Sequence, residues 1–191
     1  MTQTGLDGHL KDHITRPVVL VGMMGAGKSV LGKMLAEHAG LPFFDSDSTI
    51  VEKAGLSIPE IFDRLGEPAF RRMEKDVLTN LVRQGACVIA TGGGAVMDPD
   101  TRRLFKDKTT TLWLDVACDV LWHRLKNGKN RPVLQTEHPE TLLKKLLEER
   151  APFYAQAEHR VTIGTESPQA CLEKMIRALS LPEKISRIQP V

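Results

Sequence analysis

A glycine-rich run that ends in lysine and serine is the segment whose residue types and spacing most clearly suggest chemistry. Residues 22–29, GMMGAGKS, fit the pattern G-x-x-x-x-G-K-[ST] and lie between a predicted strand and a predicted helix. Glycines allow the backbone to turn with positive φ and bring its N–H groups close to phosphate oxygens. We therefore expect a phosphate-binding loop, in which Lys28 reaches the β- and γ-phosphates of a nucleotide and the Ser29 hydroxyl ligates Mg²⁺.

Two aspartates follow the second predicted strand. Asp45 and Asp47 stand two residues apart, and in an open parallel sheet ligands bind at the carboxyl ends of the strands. One carboxylate can hold Mg²⁺ directly or through water, and the other can accept a proton or a hydrogen bond from an attacking hydroxyl. Asp45, Ser46 and Asp47 are also good helix-capping residues. From these residues alone, a helix cap and a functional site are both open interpretations.

The elements that must position these residues alternate between short β-rich runs and helical patterns, which is typical of an α/β fold with a parallel sheet. We predict five strands, at 17–21, 41–44, 87–90, 110–114 and 159–163, and helices at 28–38, 49–66, 68–82, 98–105, 119–126, 140–156 and 168–179. The second and third helices have no strand between them, so residues 47–75 are expected to project from the sheet as a substrate-binding insertion. Residues 127–139 are polar, basic and rich in turn formers, which predicts a long functional loop.

The composition is typical of one globular domain, which we place at 17–180. The chain has 191 residues, with 26 Lys and Arg against 24 Asp and Glu, for a formal charge of +2. This near-neutral balance argues against nucleic acid as a partner, and no apolar run has the length of a membrane helix. The three cysteines are far apart and form no disulfide pattern, which favours a reducing, cytoplasmic location. Residues 1–16 are expected to be a flexible extension, and residues 181–191 a frayed tail.

Six short motifs occur in an order and spacing that together are highly specific. The set GMMGAGKS, FFDSD, GEPAFRRME, ATGGGAV, NRPVL and ERAPFY, spread over Val18 to about Ile163, closely resembles the shikimate kinases. The resemblance implies a three-layer α/β/α P-loop fold of the nucleoside monophosphate kinase type, with inserted substrate-binding helices and a lid loop at about 127–139. It also implies a monomeric enzyme that uses Mg²⁺ and transfers the γ-phosphoryl group of ATP to the 3-hydroxyl of shikimate.

The same resemblance assigns roles to individual residues. Asp47 would contact the acceptor hydroxyl, while Lys28 and Arg131 would stabilise the charge on the transferring group. Mg²⁺ would be held by Ser29 and, through water, by Asp45. ATP would contact Gly25, Ala26, Gly27, Lys28, Ser29, Val30, Arg124 and Arg131. Shikimate would contact Asp47, Arg71, Gly93 and Arg150.

Elementary chemistry agrees with these roles, and simpler interpretations stand beside them. Shikimate carries one carboxylate and three hydroxyls, so its pocket needs arginine forks and acceptors for hydroxyl groups. Arg71 could instead belong to a solvated helix face, with Glu67 and Lys75 at helical spacing, and Arg150 could pair with the negative end of a helix dipole. Two other functions stay open here: a related sugar-acid kinase such as a gluconate kinase, and a nucleotide-binding regulatory protein without catalysis.

Overall fold

The computed structural model of this protein describes residues 10–126 and 138–180. A parallel sheet of five strands forms its centre, in the order β2-β3-β1-β4-β5. The strands are β1 (Val18–Val21), β2 (Phe43–Asp45), β3 (Val88–Ala90), β4 (Thr110–Val116) and β5 (His159–Ile163). The five predicted strands are therefore confirmed, although β2 and β4 end later than the sequence pattern predicts.

Strand β1 lies in the middle of the sheet and carries the phosphate loop at its end. Its four residues are at most 2% exposed, because β3 and β4 flank it and helices cover the sheet. The chain leaves β1 towards β2 on one side and later crosses over to β4 on the other side. Such a reversal of direction opens a crevice at the carboxyl ends of the strands, and the loop after β1 lies in that crevice.

The helices fill the layers on the two faces of the sheet. They are α1 (Leu10–His13), α2 (Lys28–Ala39), α3 (Ser46–Ala54), α4 (Ile58–Leu65), α5 (Glu67–Val82), α6 (Pro99–Lys108), α7 (Cys118–Leu125), α8 (Pro139–Tyr154) and α9 (Pro168–Ser180). Right-handed crossovers place α2 on one face and α6 on the other. α9 packs beside α2, and α5 packs beside α6. A short 3₁₀ helix, Ala95–Met97, precedes α6.

The predicted insertion contains one helix more than the sequence pattern suggests. The helical pattern at 49–66, which Pro and Gly interrupt in the sequence, forms two separate helices, α3 and α4. Gly55 ends α3 in the left-handed region, with φ of 64°. Ser57 then begins α4 with a capping box, in which its backbone N–H donates to Glu60 Oε2 at 2.9 Å. These local signals divide the pattern.

The beginning of the described chain packs onto the domain. Helix α1 lies against α9, with Leu10 1% exposed and Ile14 8% exposed. Residues 10–14 therefore pack on the domain, although the sequence places them in a flexible extension. Two apolar residues four positions apart are enough to bury one helical turn, but they are too few to form a recognisable sequence pattern. Residues 1–9, 127–137 and 181–191, which include most of the predicted lid and the whole predicted tail, lie outside the described residues. Within the described ranges, no helix has the length and apolar character needed to cross a membrane.

Candidate active site

The phosphate loop ends in a helix start that lacks a side-chain cap. Gly27 is the N-cap of α2, with φ of 93°, and it supplies no side-chain acceptor for the first N–H groups of the helix. The first turn of α2 also contains no acidic residue. A helix start without a side-chain cap, together with the positive end of the helix dipole, favours a bound anion. The sequence prediction of an anion-binding loop therefore has the required local geometry.

Backbone approach explains why the loop begins with glycine. Gly22 has φ of 140°, and a Cβ at this position would lie 2.6 Å from the carbonyl oxygen of Leu114 on β4. A contact of that length with backbone cannot be relieved by a side-chain movement, so the loop can follow this path only with glycine. This close approach ties the start of the loop to the neighbouring strand.

Lys28 lies across the phosphate loop. Its Nζ donates to the carbonyl oxygens of Gly22 at 2.8 Å and Met23 at 2.9 Å. The lysine is only 8% exposed, so these carbonyl groups offset much of the cost of burying its charge. The ammonium group is thus already held in the loop, where the phosphates of a nucleotide would approach it.

Asp45 caps a helix with one carboxylate oxygen and contacts the phosphate loop with the other. Its Oδ1 accepts hydrogen bonds from the backbone N–H groups of Asp47 at 3.0 Å and Ser48 at 3.1 Å, which caps α3. Its Oδ2 accepts a hydrogen bond from the Ser29 hydroxyl at 2.5 Å. A carboxylate and a hydroxyl oxygen therefore meet beside the phosphate loop, and such hard oxygen donors suit Mg²⁺.

The protein itself offers few further ligands for a metal ion at this place. In the described parts of the chain, no group of three or more His, Cys, Asp and Glu side chains is arranged to hold one. Mg²⁺ usually keeps several waters and takes other ligands from substrate phosphates. The Ser29 and Asp45 pair fits that kind of site and does not fit a dedicated all-protein cage.

Asp47 shares a cavity with the phosphate loop. The cavity has a volume of about 270 Å³ and lies between the loop, the end of β2 and the loop after β3. It is lined by Met24, Gly25, Gly27, Lys28, Ser29, Val30, Asp45, Asp47, Thr91, Gly92 and Gly93. The structure thus brings eight of the predicted site residues to one space, namely Gly25, Gly27, Lys28, Ser29, Val30, Asp45, Asp47 and Gly93.

The glycine triplet 92–94 packs against charged side chains, closely at Gly92 and Gly94 and at ordinary contact distance at Gly93. A Cβ on Gly92 would lie 2.9 Å from Asp47 Oδ1, and a Cβ on Gly94 would lie 2.9 Å from Nη1 of Arg71. A Cβ on Gly93 would lie 3.6 Å from Nη1 of Arg150. The two arginines expected to bind a carboxylate therefore border the same glycine loop as Asp47.

Arg71 forms ion pairs with two glutamates of its own helix and also packs against the glycine triplet. Its Nη1 donates to Glu74 at 2.8 Å, and its Nη2 donates to Glu67 at 3.0 Å. Burial lowers the pKa of Arg71, but hydrogen bonds and charges from Glu74 and Glu67 outweigh burial and leave that pKa raised. The simpler interpretation, a solvated helix face, is correct only for the Glu67 side; Lys75 instead pairs with Asp100 at 2.5 Å.

Arg124 lies on the opposite side of the phosphate loop. Its Nη1 donates to the carbonyl oxygen of Gly25 at 3.2 Å, and its Nη2 donates to that of Gly164 at 2.6 Å. A second cavity of about 270 Å³ lies here, lined by Gly25, Ala26, Gly27, Val30, Leu31, Arg124, Ile163, Glu166, Pro168 and Cys171. Arg124 thus connects the phosphate loop to the loop after β5. Arg131 lies outside the described residues, so its predicted role stays a prediction.

A larger cavity, of about 460 Å³, lies between α6 and α8 and contains none of the predicted site residues. Among the described residues that line this cavity, there is no glycine, and the one helix that begins at its wall, α6, is capped by Asp98. Its size alone does not make it a candidate for phosphoryl chemistry, because the smaller cavity holds the charged groups and the helix start.

A family model described as shikimate kinase matches residues 24–180 of the chain. The chain belongs to the shikimate kinase family. A shikimate kinase of Cereibacter sphaeroides is 44% identical over 162 residues, which cover 85% of this chain and 79% of that protein. A solved structure, the shikimate kinase of Acinetobacter baumannii in complex with shikimate, is 36% identical, with a TM-score of 0.84 over 88% of this chain and 95% of that one.

Membership of the shikimate kinase family decides between the functions left open by the sequence. The protein is an ATP-dependent kinase, as predicted. The shikimate kinase family describes the chain better than the gluconate kinase alternative does. A gluconokinase of Sinorhizobium meliloti has a TM-score of 0.51 at 16% identity, which shows a common fold and nothing more.

Sequence reasoning missed one charged residue of this shikimate kinase. Glu74 is 4% exposed; its Oε2 accepts the Arg71 hydrogen bond, and its Oε1 lies 3.0 Å from the position that a Cβ on Gly92 would occupy. Burial raises the pKa of Glu74; Arg71 opposes this, and the charges of Asp47 and Asp98 add to it. Its signal in the sequence is the spacing of three from Arg71, together with a place on the apolar face of α5.

Proposed function

We propose that this protein transfers the γ-phosphoryl group of ATP to the 3-hydroxyl of shikimate, giving shikimate 3-phosphate and ADP. The observation that carries the proposal is one cavity in which the phosphate loop faces Asp47, Gly92 and Gly93, while Arg150 packs against Gly93 and Arg71 packs against the adjoining Gly94. A phosphoryl donor and a small carboxylated acceptor can meet there, and holding two reactants in one place is a large part of phosphoryl-transfer catalysis.

On the acceptor side, each residue would meet one chemical feature of shikimate. The guanidinium groups of Arg71 and Arg150 would bind the carboxylate through paired N–H donors. Asp47 would accept the hydrogen bond or proton of the 3-hydroxyl, as the attacking oxygen needs. Gly93 has no side chain, which leaves its backbone open to the ring. These assignments rest on the positions of the side chains around the loop after β3.

On the donor side, the uncapped start of α2 and Lys28 would bind the phosphates of ATP. The N–H groups of the phosphate loop, from Gly25 to Val30, would surround the β-phosphate. Lys28 would exchange its two carbonyl partners, Gly22 and Met23, for phosphate oxygens. Arg124 would flank the nucleotide in the cavity beyond Gly25. Arg131 is proposed to add positive charge at the transferring group.

We propose Mg²⁺ as the cofactor, with Ser29 and Asp45 as the protein groups that hold it. When bound, Mg²⁺ supplies positive charge that neutralises the phosphate oxygens of ATP. Asp45 is already fixed by its two cap hydrogen bonds, so its Oδ2 is directed towards Ser29. A metal ion there would accept an oxygen lone pair from the Ser29 hydroxyl and would displace the hydrogen bond between these two side chains.

We also propose that the enzyme is monomeric and cytoplasmic, with one domain at 17–180. One chain supplies every residue assigned above. The cysteines Cys87, Cys118 and Cys171 are free thiols, which suits a reducing compartment. The predicted insertion at 47–75 supplies Asp47 and Arg71, and the lid at about 127–139 would close over the phosphates.

The direct test is ADP release by the purified chain with Mg²⁺ and ATP, measured with shikimate, gluconate or AMP as the acceptor. We expect ADP release that depends on shikimate only, with shikimate 3-phosphate as the product by phosphorus NMR. ADP release that is as fast or faster with gluconate than with shikimate would show that shikimate is not the preferred acceptor. Tight ATP binding without release in the presence of any acceptor would support a regulatory protein instead.

A further inference from the structure

The only tyrosine of the chain connects three parts of the proposed site. Tyr154 ends α8, one turn after Arg150, and is 1% exposed. Its hydroxyl donates to the carbonyl oxygen of Gly93 at 2.5 Å and lies 3.8 Å from Met23 Sδ in the phosphate loop. None of the roles assigned above uses this hydroxyl.

Gly93 itself lies between the two substrate sides of the site. A Cβ at this position would be 3.2 Å from the backbone nitrogen of Met24 and 3.6 Å from Nη1 of Arg150. A small shift of Gly93 would therefore change the space between the phosphate loop and an acceptor-binding arginine. Misplacement of about 1 Å in such a site can reduce activity strongly.

The chemistry of the hydroxyl suits it to hold Gly93 and not to exchange protons. Burial raises the pKa of Tyr154 to about 12, while the charge and hydrogen bond of Arg150 oppose that rise. The phenol therefore keeps its proton and remains a donor at neutral pH. Gly93 is partly buried, so a carbonyl that loses its donor there pays part of the cost of desolvation, and Gly93 would move towards another partner.

We propose that Tyr154 is a positioning residue for the acceptor: its hydroxyl holds the Gly93 carbonyl, and so fixes the glycine loop relative to Arg150 and the phosphate loop. This inference rests on the proposed function. It differs from a purely structural role, in which the ring would only fill the core beside Trp113, whose ring centre is 6.0 Å away.

Tyr154→Phe removes the hydroxyl and keeps the ring in the core. We expect the KM for shikimate to rise about tenfold, with the KM for ATP within about twofold of the wild type. The short hydrogen bond that is lost goes to Gly93 on the acceptor side, whereas the contact with Met23 Sδ in the phosphate loop is long, at 3.8 Å, and thioether sulfur is a weak acceptor. Thr109→Val is a matched control: its hydroxyl is buried and donates to the carbonyl oxygen of Phe105 at 2.8 Å, at the end of α6. The control should lose similar stability without a change in either KM.

A second measurement does not depend on activity. The N–H groups of Ala95 and Met97 donate to the carbonyl oxygens of Gly92 and Gly94, at 3.2 and 3.0 Å, and so report on the order of the loop. Their hydrogen exchange should be about tenfold faster in Tyr154→Phe than in the wild type and unchanged in Thr109→Val.

The two measurements separate the inference from the proposed function. Wild-type protein without shikimate-dependent ADP release would refute the proposed function, and the exchange rates of Ala95 and Met97 would still decide whether Tyr154 holds the loop. Unchanged exchange in Tyr154→Phe, or a KM for shikimate equal to that of Thr109→Val in an active enzyme, would overturn the inference.

Discussion

Replacement of Glu74 by glutamine tests how the site orients Arg71. Glu74 and Glu67 both accept hydrogen bonds from Arg71, but their side chains differ in exposure, at 6% and 61%. Glutamine keeps the shape of either glutamate and removes its charge. The two variants, Glu74→Gln and Glu67→Gln, therefore compare a buried partner of Arg71 with an exposed one on the same helix.

The expected magnitudes follow from exposure. A hydrogen bond to a charged group contributes about 1.5–3 kcal/mol, and the lower end applies here because Arg71 is 37% exposed and keeps Glu67. Loss of about 1.5 kcal/mol of acceptor binding corresponds to a roughly tenfold rise in the KM for shikimate. The exposed pair contributes no more than about 1 kcal/mol, so Glu67→Gln should raise this KM less than about fivefold.

The same replacement has a pH-dependent effect on stability. The folded pKa of Glu74 is raised, first by burial, so its contribution to folding is fully present below the unfolded pKa of a glutamate and is lost as pH rises through the folded pKa. Glutamine stays neutral throughout. The free energy of unfolding of Glu74→Gln, relative to wild type, should therefore increase between about pH 4 and about pH 8.

Steady-state kinetics with shikimate and ATP varied separately, and urea unfolding at the two pH values, measure these effects. Glu52→Gln, on the exposed face of α3, is a control for the loss of one negative charge. A KM for shikimate that rises as much in Glu67→Gln as in Glu74→Gln would refute the argument from burial. If the free energy of unfolding of Glu74→Gln, relative to wild type, fell as the pH rises, the pKa of Glu74 could not be raised in the folded protein.

Three further substitutions test the remaining roles. Asp47→Asn should leave the dissociation constant for ATP nearly unchanged and abolish shikimate-dependent ADP release. Wild-type turnover in this variant would exclude a role for the carboxylate. Asp63→Asn, on an exposed face of α4, is its control. Lys28→Ala should lower kcat about 10²–10³-fold, as loss of a preorganised charge does, and near-normal kinetics would contradict the phosphate-loop assignment. Gly94→Ala should raise the KM for shikimate and leave the KM for ATP unchanged. Alanine can adopt the backbone conformation at this position, where φ is −97°, and the three atoms nearest to the new methyl group all belong to the Arg71 guanidinium, the first at 2.9 Å. An unchanged KM for shikimate in this variant would show that Arg71 can shift without loss of acceptor binding.

Local patterns made most of the fold predictable. β1 is uniformly apolar because both of its faces are buried. The loop that follows it has a spacing of glycine, lysine and serine that is typical of phosphate-binding loops and uncommon elsewhere. The boundary between α3 and α4 depends on Gly55 and Ser57, which a search for helical periodicity passes over. Helix α1 could not be predicted, because its apolar residues gain their partners from α9, at the other end of the chain.

Parts of the site were less predictable, for a related reason. Asp45 ends β2, Asp47 follows it by two residues, and Lys28 begins the helix after β1, so their place in the sequence puts them at the carboxyl edge of the sheet. Glu74 and Tyr154 lie beside the glycine loop only because their helices turn these side chains towards it. They end the motifs GEPAFRRME and ERAPFY, but neither their residue types nor their spacing in an amphipathic helix indicates a role.

The charges of the site also explain how a chain of formal charge +2 can be built for two anionic ligands. Three cations of the proposed site are held by oxygen acceptors: Lys28 by carbonyl groups of the phosphate loop, Arg124 by the carbonyl groups of Gly25 and Gly164, and Arg71 by two glutamates. Acids therefore lie beside Arg71, and neutral carbonyl groups contact the other two cations. Under the proposed function, a ligand would exchange these acceptors for its own oxygen atoms, so its affinity would depend on how well phosphate and carboxylate oxygens reproduce the existing geometry. We therefore expect Glu74, which holds Arg71 in place, to influence the selection of the acceptor as much as Arg71 itself.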